Sequence, residues 1–120
     1  MDLNSAIRKH AEWKYKFRNA NSTNETLDAA AISRDDNCEL GKWLHGEAKG
    51  LYGTHSAYAQ CVSAHATFHV EAGKVAAMVN SKMNDEVERM IGLGSVFTAA
   101  SKTVAVALVE LQNLQKKISA

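Results

Sequence analysis

His65 and His69 stand four residues apart in His65-Ala66-Thr67-Phe68-His69. On a helix that spacing puts both imidazoles on one face with β-carbons about 5–6 Å apart, close enough to converge on one ion at about 2.0–2.1 Å. The spacing alone suits two solvated or core histidines equally well. Cys38 adds a thiol. It follows the polar run Ser33-Arg34-Asp35-Asp36-Asn37 and opens Cys38-Glu39-Leu40-Gly41-Lys42-Trp43-Leu44, which reads as a short helix capped by Asn37. A thiol in a first helical turn meets backbone amides and the positive end of the dipole, which favour thiolate, the form that binds metal and that oxidants attack. The competing reading is a small buried residue beside Leu40 and Trp43. His10 supplies a fourth donor. Leu3, Ala6, Ile7, His10, Trp13, Lys14 and Phe17 recur at spacings of three and four, so His10 sits within or beside an apolar stripe, where a neutral histidine with one hydrogen bond would also fit. Three imidazoles and a thiolate make a closed tetrahedral zinc set that leaves no position for a substrate. Such a site holds or senses rather than catalyses.

Helix geometry sorts the rivals. His55 precedes His69 by fourteen residues, about 21 Å along one helix, so the two cannot share an ion. Cys61 lies four before His65 but about 12 Å from His69, too far for one zinc to take all three. It continues the ladder Ala57, Cys61, Ala64, Phe68, Ala72, Val75 and Val79 and reads as core, where a free cysteine behaves as a small hydrophobe. His45, between Leu44 and Gly46, reads as a solvated histidine at a helix end, and is the substitute ligand should His10 fail.

The segment from Ser33 to Gly46, with Cys38-Glu39-Leu40-Gly41-Lys42-Trp43 at its centre, resembles the C-x-L-G-x-W signature of the bacterial chemoreceptor zinc-binding domain family. Upstream, His10-Ala11-Glu12-Trp13 is similar to the family's first-helix histidine motif, and His65-x-x-Phe68-His69 downstream to its H-x-x-x-H. The three motifs occur in the family's order and the resemblance covers nearly the whole chain. It implies zinc as cofactor and His10, Cys38, His65 and His69 as ligands, the same four that spacing selects. It further implies a homodimer that serves the signalling domain of a chemoreceptor or diguanylate cyclase, reporting zinc or oxidants such as hypochlorous acid, with Cys38 as the redox-sensing residue.

The elements that must position these residues are all helical. The chain has no proline among 120 residues, and apolar residues recur at helical spacing throughout. A first helix is expected over 2–20, ended by the polar stretch 19–24, then a helical turn over 25–32 and the Cys38 helix. Gly46, Gly50 and Gly53 mark a loop, a helix over 55–79 carries both ligand histidines, and Asn84 caps a last helix of about 35 residues running to 118, bent at Gly92 and Gly94. The expected fold is an all-α, four-helix-type bundle of long helices with one or two short ones, in a single domain over 1–120. In the last helix Val104-Ala105-Val106-Ala107-Leu108-Val109 is apolar on more than one face, which a second copy could cover.

Composition narrows the function. Fourteen basic against thirteen acidic residues, net +1, offer no broad attraction to nucleic acid or anionic lipid, so neither partner is expected. No run of about eighteen apolar residues occurs and the N-terminus lacks signal-peptide regions, so a cytoplasmic protein with reduced thiols is expected. An enzyme is not expected. A di-iron bundle needs inward carboxylates paired with histidine, a zinc hydrolase needs H-E-x-x-H or an equivalent base, and residues 66–68 are Ala, Thr and Phe. The glycines match neither a P-loop nor a dinucleotide fingerprint. Two readings remain: a zinc-binding sensory module that responds to zinc or oxidant, and a purely structural zinc-stabilised dimerisation bundle.

Overall fold

A computed structural model describes residues 1–119, and every regular element among them is a helix. In chain order these are α1 (Leu3–Ala11), α2 (Trp13–Thr23), α3 (Ala29–Ile32), α4 (Glu39–His45), α5 (Glu47–Tyr52), α6 (Ser56–Asn80), α7 (Asn84–Met90) and α8 (Val96–Ser119). The α1–α2 rod, α6 and α8 are the long members of the bundle. The short helices α3, α4 and α5 lie along α6, and α7 fits between α2 and α6.

The bundle closes because each long helix buries one apolar face. Leu3, Ala6 and Phe17 from the first rod meet Phe68, Ala72, Val75 and Val79 of α6 and Phe97, Val104, Leu108 and Leu111 of α8 in one buried core. Phe17, Phe68 and Phe97 form an aromatic centre, with the Phe97 ring 5.5 Å from each of the other two. Buried aromatic and aliphatic side chains each contribute about 1.5–3 kcal/mol of transfer free energy, so this core is the main apolar tie among the long helices.

The helix boundaries differ from the sequence expectation in several places. The first helix runs through the polar stretch to Thr23, where Asn24 takes a left-handed conformation (φ 54°), and it is interrupted at Glu12. Residues 47–52 form α5 within the stretch read as a loop. The single last helix is two, because the chain turns between Met90 and Val96 through Gly94 at φ 80°. Asn84 does not cap α7. Met83 holds that position, and the Asn84 amide donates instead to the carbonyl and side chain of Asn21 at 3.1 and 2.7 Å, tying α7 to α2. A side-chain amide can satisfy a distant backbone group as readily as a local one, and sequence does not distinguish the two.

Candidate metal centre

Three elements deliver four donors to one point. His10 comes from the last turn of α1, His65 and His69 from adjacent turns of α6, and Cys38 from the residue immediately before α4. The three imidazoles are buried and Cys38 is half-buried. The Nε2 of His65 lies 3.2 Å from that of His10 and 3.0 Å from that of His69. Cys38 Sγ lies 3.2 Å from Nε2 of His65, 3.6 Å from that of His69 and 3.9 Å from that of His10. All four donor atoms fall within 4.8 Å of one another. A tetrahedron built on bonds of about 2.0–2.1 Å to nitrogen and 2.3 Å to sulfur has edges of about 3.3 and 3.6 Å, close to this spacing.

Hydrogen bonding cannot account for the convergence. The His10 Nδ1–H donates to the Ala6 carbonyl at 2.7 Å and the His69 Nδ1–H to the Ile32 carbonyl at 2.8 Å. Both neutral rings therefore present a lone pair at Nε2. Only the thiol of Cys38 and one tautomer of His65 could supply protons, at most two for five close contacts. Four acceptors facing inward repel one another unless a cation sits between them, and one tetrahedral ion satisfies all four. The donor set thus fits zinc by its chemistry as well as by its spacing.

The electrostatics point the same way. Burial pushes the His65 pKa down to about 3, with His69 and His10 opposing its charge further. Burial also lowers His10 and His69, partly offset by the carbonyls of Ala6 and Ile32. All three are neutral at pH 7, the form that binds metal. For Cys38 the expectation of a helix-stabilised thiolate holds only in part. Burial raises its pKa, and the amides of Gly41 and Leu40 offset that only in part. A seven-residue helix has a weak dipole, and desolvation of a charged sulfur outweighs it. A cation held by the three imidazoles would favour the thiolate.

The local structure around Cys38 also departs from expectation. Cys38 itself is the N-cap of α4, its sulfur accepting from the Gly41 N–H at 3.3 Å. Asn37 turns away to donate to the Ala31 carbonyl at 3.0 Å. Leu40 and Leu44, both buried, dock the helix that follows. On the other side, Gly73 lets the chain after α3 approach α6. A β-carbon at Gly73 would lie 2.5 Å from that of Ser33, and only this closeness brings the Ile32 carbonyl within reach of His69. The partners Ala6, Ile32 and Gly73 were not identified from sequence; a carbonyl carries no side-chain signature, although Gly73, one turn beyond His69, lies where a close approach would matter.

The rivals are placed outside the cluster. His55 is exposed at the start of α6. His45 is at the end of α4, its Nε2 2.9 Å from a carboxylate oxygen of Asp35. Cys61 is fully buried in the core, and burial pushes its thiol up to about 12. Cys61→Ala is expected to cost about 1–2 kcal/mol of stability as a small cavity while leaving zinc stoichiometry unchanged. Paired denaturant melts and metal analysis check this, and loss of zinc from Cys61→Ala would mean that the wrong cysteine has been chosen.

The family model described as the chemoreceptor zinc-binding domain matches residues 10–76, a span that includes all four donors and more than half of the chain. No curated protein and no solved structure shows a significant match. Among the described residues no helix is long and apolar enough to cross a membrane. By its matched span and its cluster of three histidines and one cysteine, this chain belongs to the chemoreceptor zinc-binding domain family, a zinc-binding sensory rather than catalytic class.

Proposed function

We propose that His10, Cys38, His65 and His69 together ligate one zinc ion, and that the chain is a cytoplasmic regulatory domain whose state is set by zinc and by the oxidation of Cys38. The observation that carries the ligand assignment is the convergence of three imidazole nitrogens and one sulfur, with the outward nitrogens of His10 and His69 held by backbone carbonyls. When bound, zinc would supply a fixed cross-link among α1, α6 and the start of α4. The redox role is supported by a contrast between the two thiols, since Cys38 is half-buried and Cys61 fully buried. A single oxidisable donor in a four-donor set gives an oxidant one point of attack, and its loss leaves three histidines and an open shell.

The deciding experiment measures the zinc content of the purified protein before and after one equivalent of hypochlorous acid. Release of zinc with Cys38 modified supports the sensor. Stoichiometric zinc that survives the oxidant supports a purely structural zinc bundle instead.

The domain acts as a homodimer in this reading, and serves a chemoreceptor or diguanylate cyclase signalling domain in cis or in trans. Support comes from α8, where Val96, Val106 and Val109 are exposed, 59% in the case of Val106. Beside them α6 and α8 enclose a groove of about 720 Å³ floored by Ala64, Ala100 and Ala107. A second copy covering this face would remove an apolar strip that a monomer leaves wet. Sedimentation equilibrium should then find a dimer for the wild type and a monomer for Val106→Glu, whose carboxylate would be desolvated at the contact. A dimer unaffected by Val106→Glu would place the interface elsewhere.

A further inference from the structure

A second cavity, of about 370 Å³, lies between α1 and the start of α4. Ser5 and Lys9 of α1 and Trp13 at the start of α2 form one wall, Glu39 the opposite wall, and His10 and Cys38 also line the cavity. Neither the groove between α6 and α8 nor the cavity beside α7 touches any of the four donors. His65 and His69 do not line it, and both are buried on α6 with the Phe68 ring packed against His69. The cavity volume is that of a small-molecule site, and its walls mix Lys9 and Lys16 with Asp2, Glu12 and Glu39, so size rather than charge decides what enters. An ion pair between Lys9 and Glu39, 3.7 Å long and solvent-exposed, spans from one wall to the other. Such a pair is weak enough to open readily.

We infer that this cavity is the exchange route of the metal centre, with Cys38 and His10 as the exchanging ligands and His65 and His69 as the retaining ones. The inference rests on the zinc assignment above. A nitrogen or oxygen donor of a small chelator, having entered past Ser5 and Lys9, bonds to the ion as the Cys38 bond breaks. The thiolate keeps the electron pair of that bond and takes a proton from solvent, and no redox change occurs. His10 is displaced next, being the other donor exposed to the cavity. A donor has to fit between Ser5, Lys9 and Glu39 to reach the ion, so a small chelator gains access faster than one carried on a macromolecule.

The test follows zinc release from the zinc-loaded 120-residue chain by stopped flow with EDTA, and with EDTA coupled to a protein-sized dextran. Free EDTA should remove zinc at least about tenfold faster than the coupled form at equal chelator concentration, and Ser5→Trp should slow free EDTA by a similar factor with equilibrium affinity unchanged. Lys9→Ala should speed it. Lys49→Trp, exposed on α5 and away from the described cavities, is the control and should leave the rate alone. Loss of structure accelerates metal release, so a slower Ser5→Trp cannot come from misfolding. Should Ser5→Trp melt early, Ser5→Gln replaces it, and the comparison of the two chelators uses only the wild type. Equal rates for free and coupled EDTA, or a wild-type rate in a well-folded Ser5→Trp, would overturn the route. A chain that takes up no zinc at all would instead overturn the ligand assignment.

Discussion

Replacing His65 or His69 by alanine is expected to lower zinc affinity by about 10²–10³-fold. Structural zinc sites bind with about 10–16 kcal/mol, and one ligand in four carries roughly 3–4 kcal/mol of that, which is the stated factor at room temperature. The loss should exceed that simple share at His65, whose Nε2 makes the shortest contacts to the other donors, 3.0 to 3.2 Å. Removing it leaves a hole in a buried shell that water reaches poorly. Competition against a chromophoric chelator measures the affinity, and melting with and without zinc separates a weakened site from a weakened fold. His55→Ala should bind like the wild type, since ten residues of α6 separate it from His65, about 15 Å along the axis. His45→Ala should also keep the ion, because its imidazole is turned to Asp35. Zinc lost from His55→Ala but kept by His65→Ala would show that the cluster is not the site.

Much of this centre is legible in the sequence, and the reason is periodicity. His65 and His69 converge because four residues are just over one helical turn, and His10 faces them because it occupies the buried stripe with Leu3 and Ala6. Cys38 is recognisable as the start of a short helix even though its role within that start is different. It caps the helix with its sulfur, and burial opposes the thiolate that the helix was expected to favour. That difference has a physical source: the pull of helix amides can be read from helix position, whereas desolvation depends on what packs above the residue. Long-range partners are hidden for a related reason. Ile32 reaches His69 through a backbone carbonyl across a gap that Gly73 keeps narrow, and no local pattern connects residue 32 with residue 69. The break between α7 and α8 shows a conflict of signals, in which the apolar stripe continued from Val87 to Phe97 while Gly94 turned the chain. The stripe survives in the core because both helices face it, and the helix does not.

Oxidation of the zinc-loaded protein by one equivalent of hypochlorous acid should modify Cys38 before Cys61 and loosen the chain around residues 34–46. Cys38 is half-buried and lines an open cavity, whereas Cys61 is inside the core with its thiol pushed up to about 12. Thiolate is the reactive form, and a zinc-bound sulfur already carries that charge. The sulfur is oxidised by two electrons to sulfenic acid as hypochlorous acid is reduced to chloride. Sulfenic acid ligates zinc poorly, so the cross-link from α4 to α1 and α6 is lost. Leu40 and Leu44 remain buried, and side chains of that size hold about 1.5–3 kcal/mol each, enough to keep α4 near the bundle but not to fix the turn that bears Cys38. Amide hydrogen exchange should therefore rise over 34–46 while the middle of α6 and α8, packed on Phe68 and Leu108, stays protected. Protection should return after thiol reduction and zinc, because sulfenic acid is reversible. Exchange that rises across α6 and α8 as well would mean that zinc holds the whole bundle, as in a structural site. Unchanged exchange over 34–46, or Cys61 modified first, would remove the mechanism of a redox switch and leave zinc concentration as the only signal the centre could read.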